Sequence, residues 1–396
     1  MKRRDFVLGT GALALTASAY GNILGANDRV GIALVGAGRR GRWILKTLLA
    51  TNRIEAIMLC DVWEEQLKRT REYTELNKVP TTFELDDVLS DPRVEAVVLA
   101  TPDHLHKDYA IRILKAGKHL LLEKPVTLHY HEGIPLKKAV AESGLICQTG
   151  TQQRSSAMFK KVKEEFFGGS KVLGDIVFAR AVWSNFAWQR RAIKQRPMPN
   201  NFKWDTFLGN SPEVDYHWAR YDGWRHYKEY GTGILSDLLT HWGDVAQWMM
   251  DDADPLNAIT TGGIYHLKDG RTNPDTVNTI IQYKGGWNFT FECSVLPIKN
   301  EHDSVLFHGT KGKLELFRAG YVFTPHDGKQ IVFDNKESLD SAHIHNFLDG
   351  VVLGKKVSAP IEIGLQAVKP SHLAAASYWS GKRMKFNEEE TSIIEG

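Results

Sequence analysis

The chain has 396 residues, 42% of them apolar and 24% charged, with a formal net charge of +3. That length supports two soluble domains with ample core, and so small a net charge argues against a nucleic acid or an anionic membrane surface as partner. The three cysteines, Cys60, Cys147 and Cys293, are widely spaced and form neither a disulfide framework nor a metal-ligand pattern.

Residues 1–26 read as an address rather than as fold. Lys2-Arg3-Arg4-Asp5-Phe6 precedes a mildly apolar run from Val7 to Ala17, and Ala17-Ser18-Ala19 offers a small-residue cleavage site. This looks like a twin-arginine export signal, although Lys2 and Leu8 depart from its commonest pattern; the alternative is a disordered basic tail. The expectation is a periplasmic or otherwise exported protein. The run is too short for a permanent membrane anchor.

The stretch from Val30 to Asp61 organises the next 120 residues. An apolar strand, Val30 to Val35, leads into Gly36-Ala37-Gly38-Arg39-Arg40-Gly41, then an amphipathic helix, then a second strand from Ile54 that ends at Cys60-Asp61. Gly36 permits the tight turn, Gly38 lets the backbone approach a pyrophosphate, and Gly41 lets the helix lie close to the strand. The helix N-terminus suits a phosphate, and Asp61, about 20 residues beyond the last glycine, suits the adenosine ribose. Asp61 favours NAD(H), with NADP(H) as the alternative because Arg39 and Arg40 can neutralise a 2′-phosphate. Helices over Glu64–Leu76, Asp108–Ala116 and Leu136–Glu142 alternate with strands at Val94–Ala100, His119–Leu122 and Leu145–Gln148. This predicts a dinucleotide-binding domain over 27–150, an α/β Rossmann arrangement around a parallel sheet. Ligands then bind at the strand ends, where Thr101-Pro102-Asp103-His104 and Glu123-Lys124-Pro125 stand.

From residue 151 the pattern changes. Strand-like runs at Asp175–Trp183, Ala258–His266, Val277–Tyr283, Trp287–Val295, Ser304–His308, Lys313–Phe317 and Lys329–Phe333 predict an α+β domain, 151–396, with a large, mostly antiparallel open sheet. Its chemistry lies in Gly231-Thr232-Gly233-Ile234-Leu235-Ser236-Asp237-Leu238-Leu239-Thr240-His241. On one helix from 234 to 250, Asp237 and His241 share a face, and an Asp beside a His fixes its tautomer and raises its basicity. Surrounding Leu and Trp residues put that pair in a buried cleft.

These pieces, with Trp224-Arg225, resemble the Gfo/Idh/MocA family, the sugar and inositol dehydrogenases that include glucose–fructose oxidoreductase. The resemblance spans both domains. It implies Lys124 at the nicotinamide–substrate junction, with Asp237 and His241 completing the catalytic set. Oxidising a secondary alcohol needs a base for the hydroxyl proton, here His241, and a cation for the developing alkoxide, here Lys124. The cofactor site is expected to comprise Gly36, Gly38, Arg39, Arg40, Gly41, Asp61, Thr101, Pro102, His104, Glu123, Lys124 and Pro125, with Lys124-Pro125 a candidate cis bond. Gln153, Arg154, Trp188, Tyr216, Arg225 and Tyr230 supply the aromatic faces and donors of a carbohydrate pocket, and the run Gln152-Gln153-Arg154, just after the domain crossover, should line the cleft. No metal is expected, because His343, His345 and His372 have no ligand spacing with His241.

Three functions follow: an exported NAD(P)-dependent sugar, glycoside or polyol dehydrogenase that forms a keto sugar; a redox-neutral enzyme with retained cofactor, either a sugar–sugar oxidoreductase or an oxidation-assisted glycosidase; and a non-catalytic sugar sensor. An export signal favours a tightly bound dinucleotide, clamped by Arg39, Arg40 and Arg42. An open sheet over Val277–Val295 and Ser304–Phe317, without polar alternation on its second face, favours a homo-dimer or homo-tetramer packed sheet to sheet.

Overall fold

The computed structural model describes residues 29–169, 172–184, 193–296 and 303–396, so the expected export signal and Trp188 lie outside the described residues. The first sheet has strands β1 (Val30–Val35), β2 (Ile54–Cys60), β3 (Thr81–Thr82), β4 (Ala96–Leu99), β5 (His119–Leu122) and β6 (Cys147–Thr149). They pair in parallel in the order β3-β2-β1-β4-β5-β6, the doubly wound order of a Rossmann domain. Every residue of β1 and β4 is buried, as strands covered by helices on both faces require. One cover is the helix Arg39–Leu49, whose Ile44, Leu45 and Leu48 share a core with Ile32 and Leu34.

The second sheet runs through β7 (Ile176–Ser184), β8 (Pro255–Gly263), β9 (Thr276–Tyr283), β10 (Asn288–Ser294), β11 (Ser304–Gly309), β12 (Gly312–Phe317), β13 (Gly320–Pro325), β14 (Ile331–Asp334), β15 (Met384–Phe386) and β16 (Ile393–Glu395). Its order is β14-β13-β12-β11-β7-β10-β9-β8-β15-β16, antiparallel except where β7 meets β10. β13, β15 and β16 extend it beyond the strands legible in the sequence. Phe289, Phe291 and Phe307 point inward onto Trp242 and Val245 of the helix Leu239–Met250 and onto Leu373 of the helix Ile361–Ser380. The opposite face corrects the expectation. It carries Thr276, Asn278, Gln282 and Thr290 at alternate positions, and Arg180 pairs with Glu292 across β7 and β10 at 2.8 Å. Polar alternation is present, with Ile280, 47% exposed, among the apolar exceptions.

The division at residue 150 separates the two sheets but not their cores. The helix Leu339–Leu353 puts Ile344, Phe347 and Leu348 into the core beside Ile44 and Leu45. Ile361 and Val368 enter the core on the sheet's other side. The C-terminal helices therefore bind the domains together, and the strand ends of the first face the helix Leu239–Met250 of the second. Among the described residues, no helix is long and apolar enough to cross a membrane.

Candidate active site

The glycine turn has the shape its sequence predicts. Gly36 has a φ of +91°, and a Cβ there would sit 2.5 Å from the Ala100 carbonyl; one on Gly41 would sit 2.0 Å from the Gly36 carbonyl. A Cβ on Gly38 would meet nothing within 4 Å, so this glycine borders open space at the first turn of a helix that no side chain caps. Uncapped N–H groups facing a groove fit a pyrophosphate. Asp61 closes the other end. Its carboxylate accepts from the backbone N–H of Ala37 at 2.7 Å and of Trp63 at 3.0 Å. Burial pushes the carboxyl up to about 6 against those bonds, so it remains ionised at neutral pH. The groove is floored by Gly36, Gly38, Arg39, Asp61, Thr101 and Pro102, and roofed by Phe207, Tyr221 and Trp224 from the second half of the chain. These residues fit a dinucleotide.

The three arginines of the turn have different occupations. Arg40 is committed to Glu123 at 2.7 Å and Asp340 at 2.8 Å. Arg42 donates to Gln66 at 2.5 Å. Neither is a free pyrophosphate clamp, because each already has acceptors. Arg39 lines the groove and makes no ion pair among the described residues.

At the end of β5 the Lys124–Pro125 peptide is cis. The expected continuous helix is broken: Ile234–Asp237 ends at Leu238, whose φ of −103° precedes the helix Leu239–Met250. The His241 N–H consequently bonds to the Leu238 carbonyl and leaves the Asp237 carbonyl free. Lys124 Nζ takes that carbonyl at 2.8 Å and the Asp237 carboxylate at 2.5 Å. Asp237 is thus the partner of Lys124, with Arg225 Nε at 3.5 Å, and no hydrogen bond joins it to His241. This corrects the expected Asp–His pair. Burial works to raise the Asp237 carboxyl, but the charges of Lys124 and Arg225 outweigh it and hold it down to about 2.

His241 lies in the same cavity, stacked on Trp183 with ring centroids 5.8 Å apart, its Nδ1 buried without a partner. Burial, together with the charges of Lys124, Arg318 and Arg40, holds its imidazole well below the ordinary value. At neutral pH it is uncharged and able to accept a proton. Asp103 is the reverse case. Burial pushes its carboxyl up to about 8, Ser236 Oγ lies 3.5 Å away, and the acid is protonated at neutral pH. Arg40, Thr101, Glu123, Gln152, Arg225 and Arg318 complete a cavity of about 240 Å³.

Several expected ligand residues lie elsewhere. His104 turns away from the groove, its Nε2 2.7 Å from the Phe207 carbonyl, because the short turn Asp103–Leu105 aims consecutive side chains apart. Tyr230 is fully buried against His104 and Phe207, and Tyr216 packs on Phe202 and Trp204. Arg154 grips Asp244 with both Nε and Nη2 at 2.8–3.1 Å, and Gln153 is completely buried while its neighbour Gln152 reaches the cavity. Of the run Gln152-Gln153-Arg154 expected to line the cleft only Gln152 does so, while Asp103 and Arg318 line the cavity unforeseen. Asp103 stood inside a recognised motif, whereas Arg318 has no sequence signal at all. His343 bonds Ser155 and the Thr149 carbonyl, and His372 bonds Thr127. Among the described residues, no group of acids, histidines and cysteines is placed to hold a metal.

Two family profiles match the chain. One, described as the oxidoreductase family with an NAD-binding Rossmann fold, covers residues 30–151; the other, the GFO/IDH/MocA C-terminal domain, covers residues 206–315. Together they account for more than half of it. The chain belongs to the Gfo/Idh/MocA oxidoreductases. Within that family it is 27% identical to the myo-inositol 2-dehydrogenase of Thermotoga maritima over 90% of this chain and 98% of that one. It is 23% identical to the NADP(+)-dependent scyllo-inositol 2-dehydrogenase IolW of Bacillus subtilis, over 74% of this chain and 73% of the relative. A levoglucosan dehydrogenase solved with NADH and levoglucosan shares the fold, with a TM-score of 0.70 at 18% identity, over 90% of this chain and 99% of that one. As a Gfo/Idh/MocA member, the protein is an oxidoreductase with an NAD-binding first domain.

Proposed function

We propose that the protein oxidises a secondary hydroxyl of a sugar, glycoside or related polyol. The reading rests on one observation: Lys124, Asp237 and His241, from two domains, line one small cavity beside the glycine cradle. The sugar and inositol dehydrogenases among its relatives support the substrate class. A bound nicotinamide supplies two-electron acceptance from the carbinol carbon. Gly38, Arg39, Asp61, Thr101 and Pro102 hold the dinucleotide, and Asp61 favours NAD(H), since its carboxylate repels a 2′-phosphate. Lys124, held by Asp237, donates to the substrate hydroxyl oxygen and stabilises negative charge as it develops. Uncharged His241 takes the hydroxyl proton. The position of His241 is fixed by Trp183 and by its helix rather than by a carboxylate.

A specific observation favours a retained cofactor. The roof over the groove is anchored to the residues just after Asp61: Trp63 bridges to Phe202, and the Lys203 N–H donates to the Val62 carbonyl at 2.8 Å. A roof anchored in this way slows exchange of a bound dinucleotide. With the export signal expected at residues 1–26, this favours a periplasmic enzyme that reoxidises its cofactor in place with a second sugar, a keto intermediate or a partner acceptor. For the assembly we propose a homo-dimer or homo-tetramer packed through the second sheet, on the narrower ground that Ile259 and Ile280, paired across β8 and β9, are exposed on its otherwise polar face. The test is a panel of sugars and glycosides given to freshly desalted protein, with products and nucleotide absorbance followed together. A keto sugar, or an exchanged sugar pair with about one nucleotide retained per chain, supports the reading. Sugar binding without any redox change leaves a sensor.

A further inference from the structure

The cavity that holds Lys124 and His241 is lined by four cations, and three of them have carboxylate partners. Lys124 is paired with Asp237, Arg40 with Glu123 and Asp340, and Arg225 lies 3.5 Å from Asp237. The fourth, Arg318, does not. It occupies the two-residue turn between β12 and β13, where Phe317 pairs with Gly320. Its guanidinium lies over the Trp183 ring at 5.2 Å, on the ring that also stacks on His241. Its Nε is buried without a hydrogen-bond partner, and it makes no ion pair among the described residues. The carboxylates of Asp303, Asp340 and Asp237 act on Arg318 only from beyond salt-bridge distance, and burial outweighs them, holding its guanidinium below the ordinary value.

A buried guanidinium Nε without an acceptor is unfavourable, and its place at the wall of the cavity leaves the group open to an anionic ligand. Guanidinium matches a carboxylate through two parallel N–H bonds, and the cavity of about 240 Å³ suits a single sugar ring. We infer that the natural substrate is a sugar acid, a glycuronate or aldonate, and that Arg318 receives its carboxylate. The inference rests on the sugar-oxidising reading of this cavity and narrows the substrate within it. It also gives Arg318 a second effect. Its charge is one of those, with Lys124 and Arg40, that depress the basicity of His241, and a bound carboxylate cancels it at the moment the base is needed.

The experiment uses nucleotide-loaded protein and matched probes: D-glucose with D-glucuronate, D-galactose with D-galacturonate, and D-glucose 6-phosphate. Binding is followed by calorimetry, and turnover by KM and kcat separately. The wild type should bind the acid of a pair about tenfold or more tighter than its neutral partner. Arg318→Gln should weaken the acid by about 10- to 100-fold, mainly in KM, and the neutral sugar by less than about threefold; Arg318→Lys should recover part of the difference. No preference within the matched pairs, equal losses for both members in Arg318→Gln and Arg318→Lys, or a preference for the phosphate over the carboxylate would overturn it. Preferential acid binding without oxidation would preserve the carboxylate subsite and remove the redox reading. Oxidation of neutral sugars without preference would do the opposite.

Discussion

Around Lys124 the two domains meet through charge; around Trp63 they meet through rings. The first contact joins Lys124 and Arg40 of one domain to Asp237 and Asp340 of the other. The second is a cluster in which Trp63 meets Trp218 edge-on at 5.3 Å, and Phe202, Trp204, Phe207 and Tyr230 close around them. The ring cluster is insensitive to pH and needs only shape, so it can fix the roof of the dinucleotide groove once and for all. The ionic contact has the opposite property. Burial works to raise the carboxyls of Asp237 and Asp340, but the cations beside them hold both below the ordinary range, and such a tuned setting is what proton transfer requires. Substitutions in the two regions should therefore fail differently.

The largest effect should come from the charged region. Lys124→Ala or His241→Ala should lower turnover by roughly 10²–10⁴-fold while the purified protein keeps its nucleotide. Steady-state rates and nucleotide content, measured on the same preparation, check this; a near-normal kcat in either variant would remove that residue from the mechanism.

Phe207→Ala, in the rings, should do the reverse. Phe207 is 1% exposed and touches both the groove and the cluster. Its truncation should destabilise the protein by about 3–5 kcal/mol and speed nucleotide loss, with the chemical step changed far less. Denaturant unfolding and nucleotide release after desalting measure the two consequences. A pure kcat defect with unchanged stability would dissolve the distinction between the regions.

Much of the architecture was legible because it depends on periodicity and glycine chemistry. β1, the glycine turn and Asp61 lie where the pattern required, and Lys124 and His241 line one cavity. What was not legible depends on tertiary choices. An i, i+4 spacing predicted an Asp237–His241 pair, but the backbone break at Leu238 gave Asp237 to Lys124. Tyr216, Tyr230 and Arg154 have the side chains of a sugar site, yet each is consumed by packing or by an internal ion pair. Arg318 enters the cavity from a turn whose sequence looks like any other.

Asp103 sharpens the comparison by pH. Its carboxyl is held at about 8 in the fold, against roughly 4 in the unfolded chain. The folded state therefore binds the proton more tightly; the associated stability is fully present below about pH 4 and is lost as pH rises through about 8. Asp103→Asn keeps a neutral group throughout. The difference between variant and wild-type unfolding free energies should grow in the variant's favour from pH 4 to pH 8, by on the order of a few kcal/mol. A difference independent of pH would place Asp103 outside the coupled set.

The smallest effect should come from outside both regions. Arg180→Ala removes a half-exposed cross-strand pair with Glu292 and should change stability by only about 0–1 kcal/mol in the isolated chain.

The central claim is that His241 takes the proton from a substrate hydroxyl held by Lys124. Single turnover of protein loaded with oxidised dinucleotide tests it directly, using a sugar or glycoside that binds and following nicotinamide absorbance. The wild type should reduce its bound nucleotide in one exponential phase and yield a keto product, while His241→Ala binds the same compound and reduces about 10²–10⁴ times more slowly. Reduction at the wild-type rate in His241→Ala would contradict the account.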